Sequence, residues 1–213
     1  MKNVFITQGG CGTSSLSGVT TNYVNRDVHI HERYPETIND KFLNSKVVYL
    51  FANPYDCLLS LARRDRYLLE HAYNIRCPIP IEENKFHQFC RDDRSNFPTG
   101  TTEEKLEIYL DFGQDIYDFK DHYERWKILK NKTYSIRFIK YEGLLKYGLS
   151  LFNDWWGTDI DESVWKPRMR SSDYSKLDAK LIEKLEFLYK DWFDVYNILP
   201  DVEDIIAVEK INE

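Results

Sequence analysis

The apolar positions of this chain fall into two rhythms. Val4-Phe5-Ile6, Val47-Val48-Tyr49-Leu50-Phe51-Ala52 and Ile136-Arg137-Phe138-Ile139 are short runs rich in β-branched and aromatic residues, the composition of strands. The second run shows no polar position to water, which suits the centre of a parallel sheet covered on both faces. We expect strands over 2–7, 46–52 and 134–141. Asp27-Val28-His29-Ile30-His31 alternates instead. It predicts a further strand, with Val28 and Ile30 on one face and both histidines on a face turned to a cleft or to solvent.

Between these runs the period becomes helical. Asn53-Pro54-Tyr55-Asp56 supplies an N-cap, a proline at the first helical position and an acid in the first turn. The helix it opens carries Leu58, Leu59, Leu61, Ala62, Leu68 and Leu69, to about Glu70. Ile116, Tyr117, Phe119, Tyr123 and Trp126 predict a helix over 114–129. Glu142-Gly143-Leu144-Leu145 opens a helical stretch that Trp155-Trp156-Gly157 closes, and Leu181, Leu185, Leu188, Trp192 and Val195 mark an amphipathic helix over 178–197. Weaker patterns predict short helices over 13–23 and 36–43, one between 82 and 94, and one opened by Thr101 or Thr102 with Glu104. The acidic tail, 200–213, is expected to be loosely held.

Strands alternating with helices imply an α/β fold of three layers, a central parallel β-sheet flanked by helices. Between 71 and 113 the pattern is broken by Cys77-Pro78-Ile79-Pro80 and Asn96-Phe97-Pro98-Thr99-Gly100, with no second core of domain size. The expected organisation is one domain over 1–213 with a helical and loop insertion at about 71–113. In such folds ligands sit beyond the carboxyl ends of the strands. Gly9 to Thr13, the His29/His31 region, Ala52-Asn53 and Tyr141-Glu142 all fall there.

The first of these ends carries the chemistry. Gly9-Gly10-Cys11-Gly12-Thr13-Ser14-Ser15 places three glycines and a row of hydroxyls between strand and helix. Glycines let backbone N–H groups turn inward, and a helix N-terminus adds partial positive charge, so the stretch suits a phosphate-like anion. A nucleoside-triphosphate loop would need G-x-x-x-x-G-K-[ST]. Gly9 and Gly12 are too close for that, and no lysine follows Gly12. A net charge of −6 over 213 residues gives no global basic field for nucleic acid or an acidic membrane. No apolar run approaches the ~18 residues of a membrane span. Neither leader nor span is expected, and Cys11, Cys57, Cys77 and Cys90 lack C-x-x-C spacing; both point to reduced thiols and a cytoplasmic location. Cys77, His87 and Cys90 match no zinc spacing.

The glycine loop, Asn53-Pro54-x-Asp56-x-x-x-Ser60, the Asp121-His122-Tyr123-Glu124-Arg125-Trp126 helix and Phe138-x-x-Tyr141-Glu142-x-Leu144 occur in that order from Lys2 to about Asn197. This set resembles the sulfotransferases that use 3′-phosphoadenosine 5′-phosphosulfate, which have a P-loop NTPase-like fold. The resemblance implies that Cys11, Gly12, Thr13 and Ser14 wrap the 5′-phosphosulfate, with Gly9, Gly10 and Ser15 completing the loop. It implies that Ser60 binds the 3′-phosphate, that Tyr141 lies by the adenine, and that Arg168, Arg170, Ser171 and Ser172 close over the 3′-phosphate. His31 holds the place of the histidine that takes the acceptor's proton, in a transfer that needs no metal. Basic residues of the family are replaced by Gly10, His29 and Ala52, and its adenine-stacking tryptophan by Ser15. Arg63, Arg64, Arg168, Arg170 and a protonated His29 are the compensating charges.

The expected activity is therefore sulfuryl transfer to a hydroxyl or amine of an unidentified small molecule or carbohydrate. The alternatives are a binding or interaction protein on the same scaffold that has lost donor ligands, and, third, a phosphotransferase. No nucleic acid and no membrane is expected as partner. The cleft is either open to a bulky acceptor or completed by a second copy of the chain.

Overall fold

Three strands lie side by side in parallel, β1 (Asn3–Thr7), β2 (Lys46–Phe51) and β3 (Ser135–Lys140), and β4 (Val202–Ile205) runs antiparallel beyond β3. Among the described residues the sheet has the order β1-β2-β3-β4. The computed structural model describes residues 3–37, 42–64, 77–80, 82–92, 98–128, 132–167 and 173–207, without the side chains of Thr13, Ser14 and Asp92. In chain order the helices are α1 (Thr13–Thr20), α2 (Pro54–Ala62), α3 (Lys85–Asp92), α4 (Thr102–Asp111), α5 (Phe119–Ile128), α6 (Tyr141–Tyr147), α7 (Ser150–Trp156) and α8 (Ala179–Ile198). None of them is long and apolar enough to cross a membrane. The chain is thus α/β with a mostly parallel open sheet.

It divides into two compact units. The first, Met1–Ala52 with Asp121–Met169 and Pro200–Glu213, contains the whole sheet. Successive side chains of a strand point to opposite faces, and the register sorts them into rows. Phe5, Val48 and Arg137 form one row, where Phe5 meets Phe152 of α7 edge-on at 5.6 Å and Arg137 lies over Trp155 at 4.8 Å. Ile6, Tyr49 and Phe138 form the opposite row, where Tyr49 and Phe138 pack against Tyr123 of α5. Helices therefore cover both faces of this unit's sheet. Val47 to Phe51 are all buried, as their unbroken apolar run predicts. The indoles of Trp155 and Trp156 donate to the carbonyls of Val47 and Lys46, which fastens α7 to the start of β2.

The stretch 27–31 is not a strand. Val24 makes a single parallel bridge to Asn3, and the Thr7 N–H donates to the Ile30 carbonyl at 2.8 Å. Between these points local bonds replace the ladder: the Asp27 N–H donates to the Asn25 side chain, and the Glu32 N–H to the His29 carbonyl. Such turns compete with pairing at a sheet edge. The two histidines consequently do not share a face, His31 being buried and His29 exposed. The segment still occupies the outer side of β1. The chain leaves β1 toward that side and returns to β2 on the other, so β1 stands where the direction of winding reverses.

The tail also differs from expectation. Val202–Ile205 pairs with β3, and its acids find bases on neighbouring elements. Arg137 grips Asp204 with two bonds of 2.7 Å, and Lys127 meets Glu203 at 2.9 Å. Glu203 and Asp204 are thus the charge complement of α5 and β3. Of the small helix expected over 36–43, Glu36 and Thr37 lie in a 3-10 turn, Pro35–Thr37, and residues 38–41 lie outside the described residues.

The second unit, Asn53–Lys120 with Arg170–Leu199, contains α2, α3, α4 and α8. Asn53 caps α2 by accepting the Tyr55 N–H, and Thr101 and Glu104 form a reciprocal capping box on α4. Asp178 caps α8, whose buried face is Leu181, Leu185, Tyr189, Trp192 and Tyr196. The helix expected over 114–129 begins only at Phe119. The Asp115 carboxylate takes the N–H groups of Tyr117 and Asp118, and Asp118 has φ 38°, so an Asx turn displaces the first helical turn. The expected extension of α2 to about Glu70 lies outside the described residues beyond Arg64.

Candidate functional site

The site grows from Thr7, the last residue of β1, which is fully buried. Its hydroxyl accepts the Gly9 N–H at 2.9 Å and the Cys11 thiol at 3.2 Å. Its carbonyl accepts from Nδ1 of His31 at 3.0 Å. One threonine thus fastens the glycine loop with its side chain and the histidine turn with its backbone.

The loop has the conformation its glycines permit. Gly9, Gly10 and Gly12 have φ of 86°, 67° and 79°, a region that costs other residues about 1–2 kcal/mol. Gly12 is the N-cap of α1 and, being glycine, offers that helix start no side-chain cap. The Ser15 hydroxyl donates to the Gly12 carbonyl at 2.8 Å, so it braces the turn. Cys11 is turned inward, its thiol directed to Thr7 and, at 3.7 Å, to the Leu50 carbonyl; its backbone is the part that belongs to the loop. Tyr141, the first residue of α6, lies against Gly12, where a Cβ would stand 2.7 Å from the ring.

His31 is 8% exposed. Burial lowers its pKa to about 4, opposed by the Thr7 carbonyl and reinforced by the nearby His29. It is neutral at pH 7. The bond to Thr7 assigns its proton to Nδ1 and its lone pair to Nε2, the tautomer a base needs. His29 accepts the His31 backbone N–H on its own Nδ1 at 3.2 Å, an arrangement that requires that nitrogen to be unprotonated. The protonated His29 expected as a stand-in for lysine would forfeit this bond.

A buried polar layer supports the turn from beneath. The Tyr49 hydroxyl lies 2.6 Å from Nδ1 of His122, both side chains being inaccessible. Burial raises the Tyr49 pKa well above its usual value and drops that of His122 well below its own, so the neutral phenol donates to the neutral imidazole. Arg33 is fully buried and pairs with Asp121 at 2.8 Å; Asp121 also takes Arg125, which reaches Glu36. The Trp126 indole donates to the Glu32 carbonyl at 2.8 Å.

Of the residues singled out by sequence, the first unit brings together Gly9, Gly10, Cys11, Gly12, Ser15, His29, His31 and Tyr141, and the backbone of Thr13 and Ser14 opens α1. Ser60 and Arg63 belong to the second unit, on and just after α2. Arg168, Arg170, Ser171 and Ser172 lie outside the described residues. Sequence reasoning missed Thr7, Tyr49 and Arg33. Only Thr7 left a signal, a polar residue ending an apolar strand beside glycines. Among the described residues no group of three or more His, Cys, Asp or Glu side chains is arranged to hold a metal ion. Comparison with protein-family models, curated proteins and solved structures found no match.

Proposed function

We propose that the chain is a sulfotransferase with a P-loop-like fold, using 3′-phosphoadenosine 5′-phosphosulfate as donor and a hydroxyl or amine as acceptor. The observation that carries the reading is the double role of Thr7, whose hydroxyl holds Gly9 while its carbonyl holds a neutral, buried His31. A helix start with a glycine N-cap and a potential base are thereby both tied to the end of one strand, where the winding reverses.

In this reading the N–H groups from Gly10 to Ser14 hold the phosphosulfate, and the Tyr141 ring borders the nucleotide. The acceptor oxygen attacks sulfur in line. The new O–S bond forms as the bond from sulfur to the bridging phosphate oxygen breaks. The electron pair leaves with adenosine 3′,5′-bisphosphate, and the acceptor's proton passes to Nε2 of His31. Fixed N–H donors stabilise the charge spread over the sulfuryl oxygens. Calorimetry with adenosine 3′,5′-bisphosphate tests the reading: millimolar ligand binds the wild type and His31→Ala alike, and only the wild type transfers sulfate. Absence of binding overturns it.

A binding protein on the same scaffold is the second reading. It is favoured by Ala52, which is fully buried where the family carries a basic ligand, and by the engagement of Arg33 with Asp121. Binding of the bisphosphate without transfer to any acceptor selects it.

A further inference from the structure

We infer that the outer edge of β4, with the groove beside it, docks an extended segment of a partner protein that carries lysine or arginine. Among the described residues β4 ends the sheet, and no strand pairs with its other side. The phase of its ladder decides what that side presents. The Lys140 N–H donates to the Asp201 carbonyl at 2.9 Å. In the antiparallel register the next pairs to exchange ladder bonds are then Phe138 with Glu203 and Ile136 with Ile205. Val202 and Asp204 fall in the intervening pairs, opposite Ile139 and Arg137, so their N–H and C=O groups point outward. Such a row is a template for one more strand.

The same two residues share the face of Arg137, the face on which α7 packs. Beside them is a groove of about 420 Å³, lined by Val202 and Pro200, by Tyr147 at the end of α6, and by Leu151 and Asp154 of α7. Its end is held closely, since a Cβ on Gly143 of α6 would stand 2.7 Å from the Asp201 carbonyl. An added strand continues the pleat, so alternate side chains on it overhang this groove.

Charge selects the occupant. Arg137 is held by both oxygens of Asp204, and Lys146 lies 3.8 Å from Asp201 and over the Tyr147 ring. Asp154 is exposed and has no ion-pair partner among the described residues. The groove therefore carries one more carboxylate than cations. A lysine or arginine can lay its stem on Leu151 and Val202 and bring its charge to Asp154. A second copy of the chain fits poorly: β4 paired with itself would set Glu203 and Asp204 among the same acids, and opposed like charges destabilise a sheet.

The probe is a short fluorescein-labelled peptide of alternating lysine and valine, titrated into the full chain. Anisotropy should show binding that weakens with salt, and the largest amide shift changes in nuclear magnetic resonance spectra should fall on Val202 and Asp204. Of two versions N-methylated at alternate residues, the one that loses its donors to β4 should bind about tenfold more weakly, and the other should bind as the parent does. Asp154→Asn should weaken binding about threefold at low salt. Val202→Pro removes an outward N–H and no ladder bond. It should bind about tenfold more weakly while the Glu203 and Ile205 amides stay protected from hydrogen exchange, which shows the strand still in place. Equal binding of a glutamate-valine peptide, equal binding of both methylated versions, shift changes that avoid β4, or no binding overturns the proposal. Self-association that shifts the β4 amides without peptide also overturns it, because the occupant is then a second copy.

Discussion

The ring of Tyr141 lies so close over Gly12 that a Cβ there would stand 2.7 Å from Cε2. With φ 79° at the same residue, two independent constraints select glycine. Gly12→Ala should lose about 1–2 kcal/mol from the left-handed backbone alone, and more from displacing the ring. Adding Tyr141→Leu relieves only the steric part. A double-mutant cycle by urea denaturation should therefore be non-additive by about 1 kcal/mol, in the direction of rescue.

Thr7→Val keeps the shape of the residue and its carbonyl but removes the acceptor for Gly9 and Cys11. Leaving a buried donor unsatisfied costs about 1–3 kcal/mol. Denaturation should show that loss, and calorimetry should show weaker anion binding. Thr7→Ser restores the hydroxyl and should recover most of both.

Stability should fall on acidification. Burial holds the folded His31 pKa at about 4, against 6.5 for the ordinary group. Between those values the unfolded chain binds a proton that the folded chain refuses. Stability is thus full above the higher value, declines as pH falls through the window, and stops declining below the lower one. One such histidine accounts for about 3 kcal/mol, and His122 shifts the same way. Denaturation midpoints from pH 7.5 to 4 measure the decline, which should be shallower in His31→Asn.

Asp121→Asn should cost more than Arg33→Met. The first removes the carboxylate facing a fully buried guanidinium, whereas the second removes the buried charge and leaves Asp121 its bond to Arg125. Breaking a buried pair from one side costs about 3–5 kcal/mol, while an apolar side chain of similar volume is often tolerated. Chemical denaturation of the two variants gives the order directly.

The sheet and the loop were legible because their signals are local. Val47 to Phe51 read as a covered strand from composition alone, and Gly9, Gly10 and Gly12 as a turn from spacing. The errors came where long-range partners decide. Alternation at 28–31 looks the same whether a neighbouring strand accepts the ladder or local turns close it. The acids of β4 read as part of a loosely held tail until Arg137 and Lys127 are seen beside them. The layer under His31 was hidden for the same reason: Tyr49 meets His122 across 73 positions of sequence and Arg33 meets Asp121 across 88. A buried arginine has no local signature.

Trp126 gives the histidine turn an optical handle. Its indole is inaccessible to solvent and donates to the carbonyl of Glu32, the residue after His31. A shift of the turn that lengthens this bond changes the polarity felt by one fluorophore without any label. With the remaining tryptophans replaced by phenylalanine, its emission reports on the turn in real time, during mixing with an anion or across a pH jump.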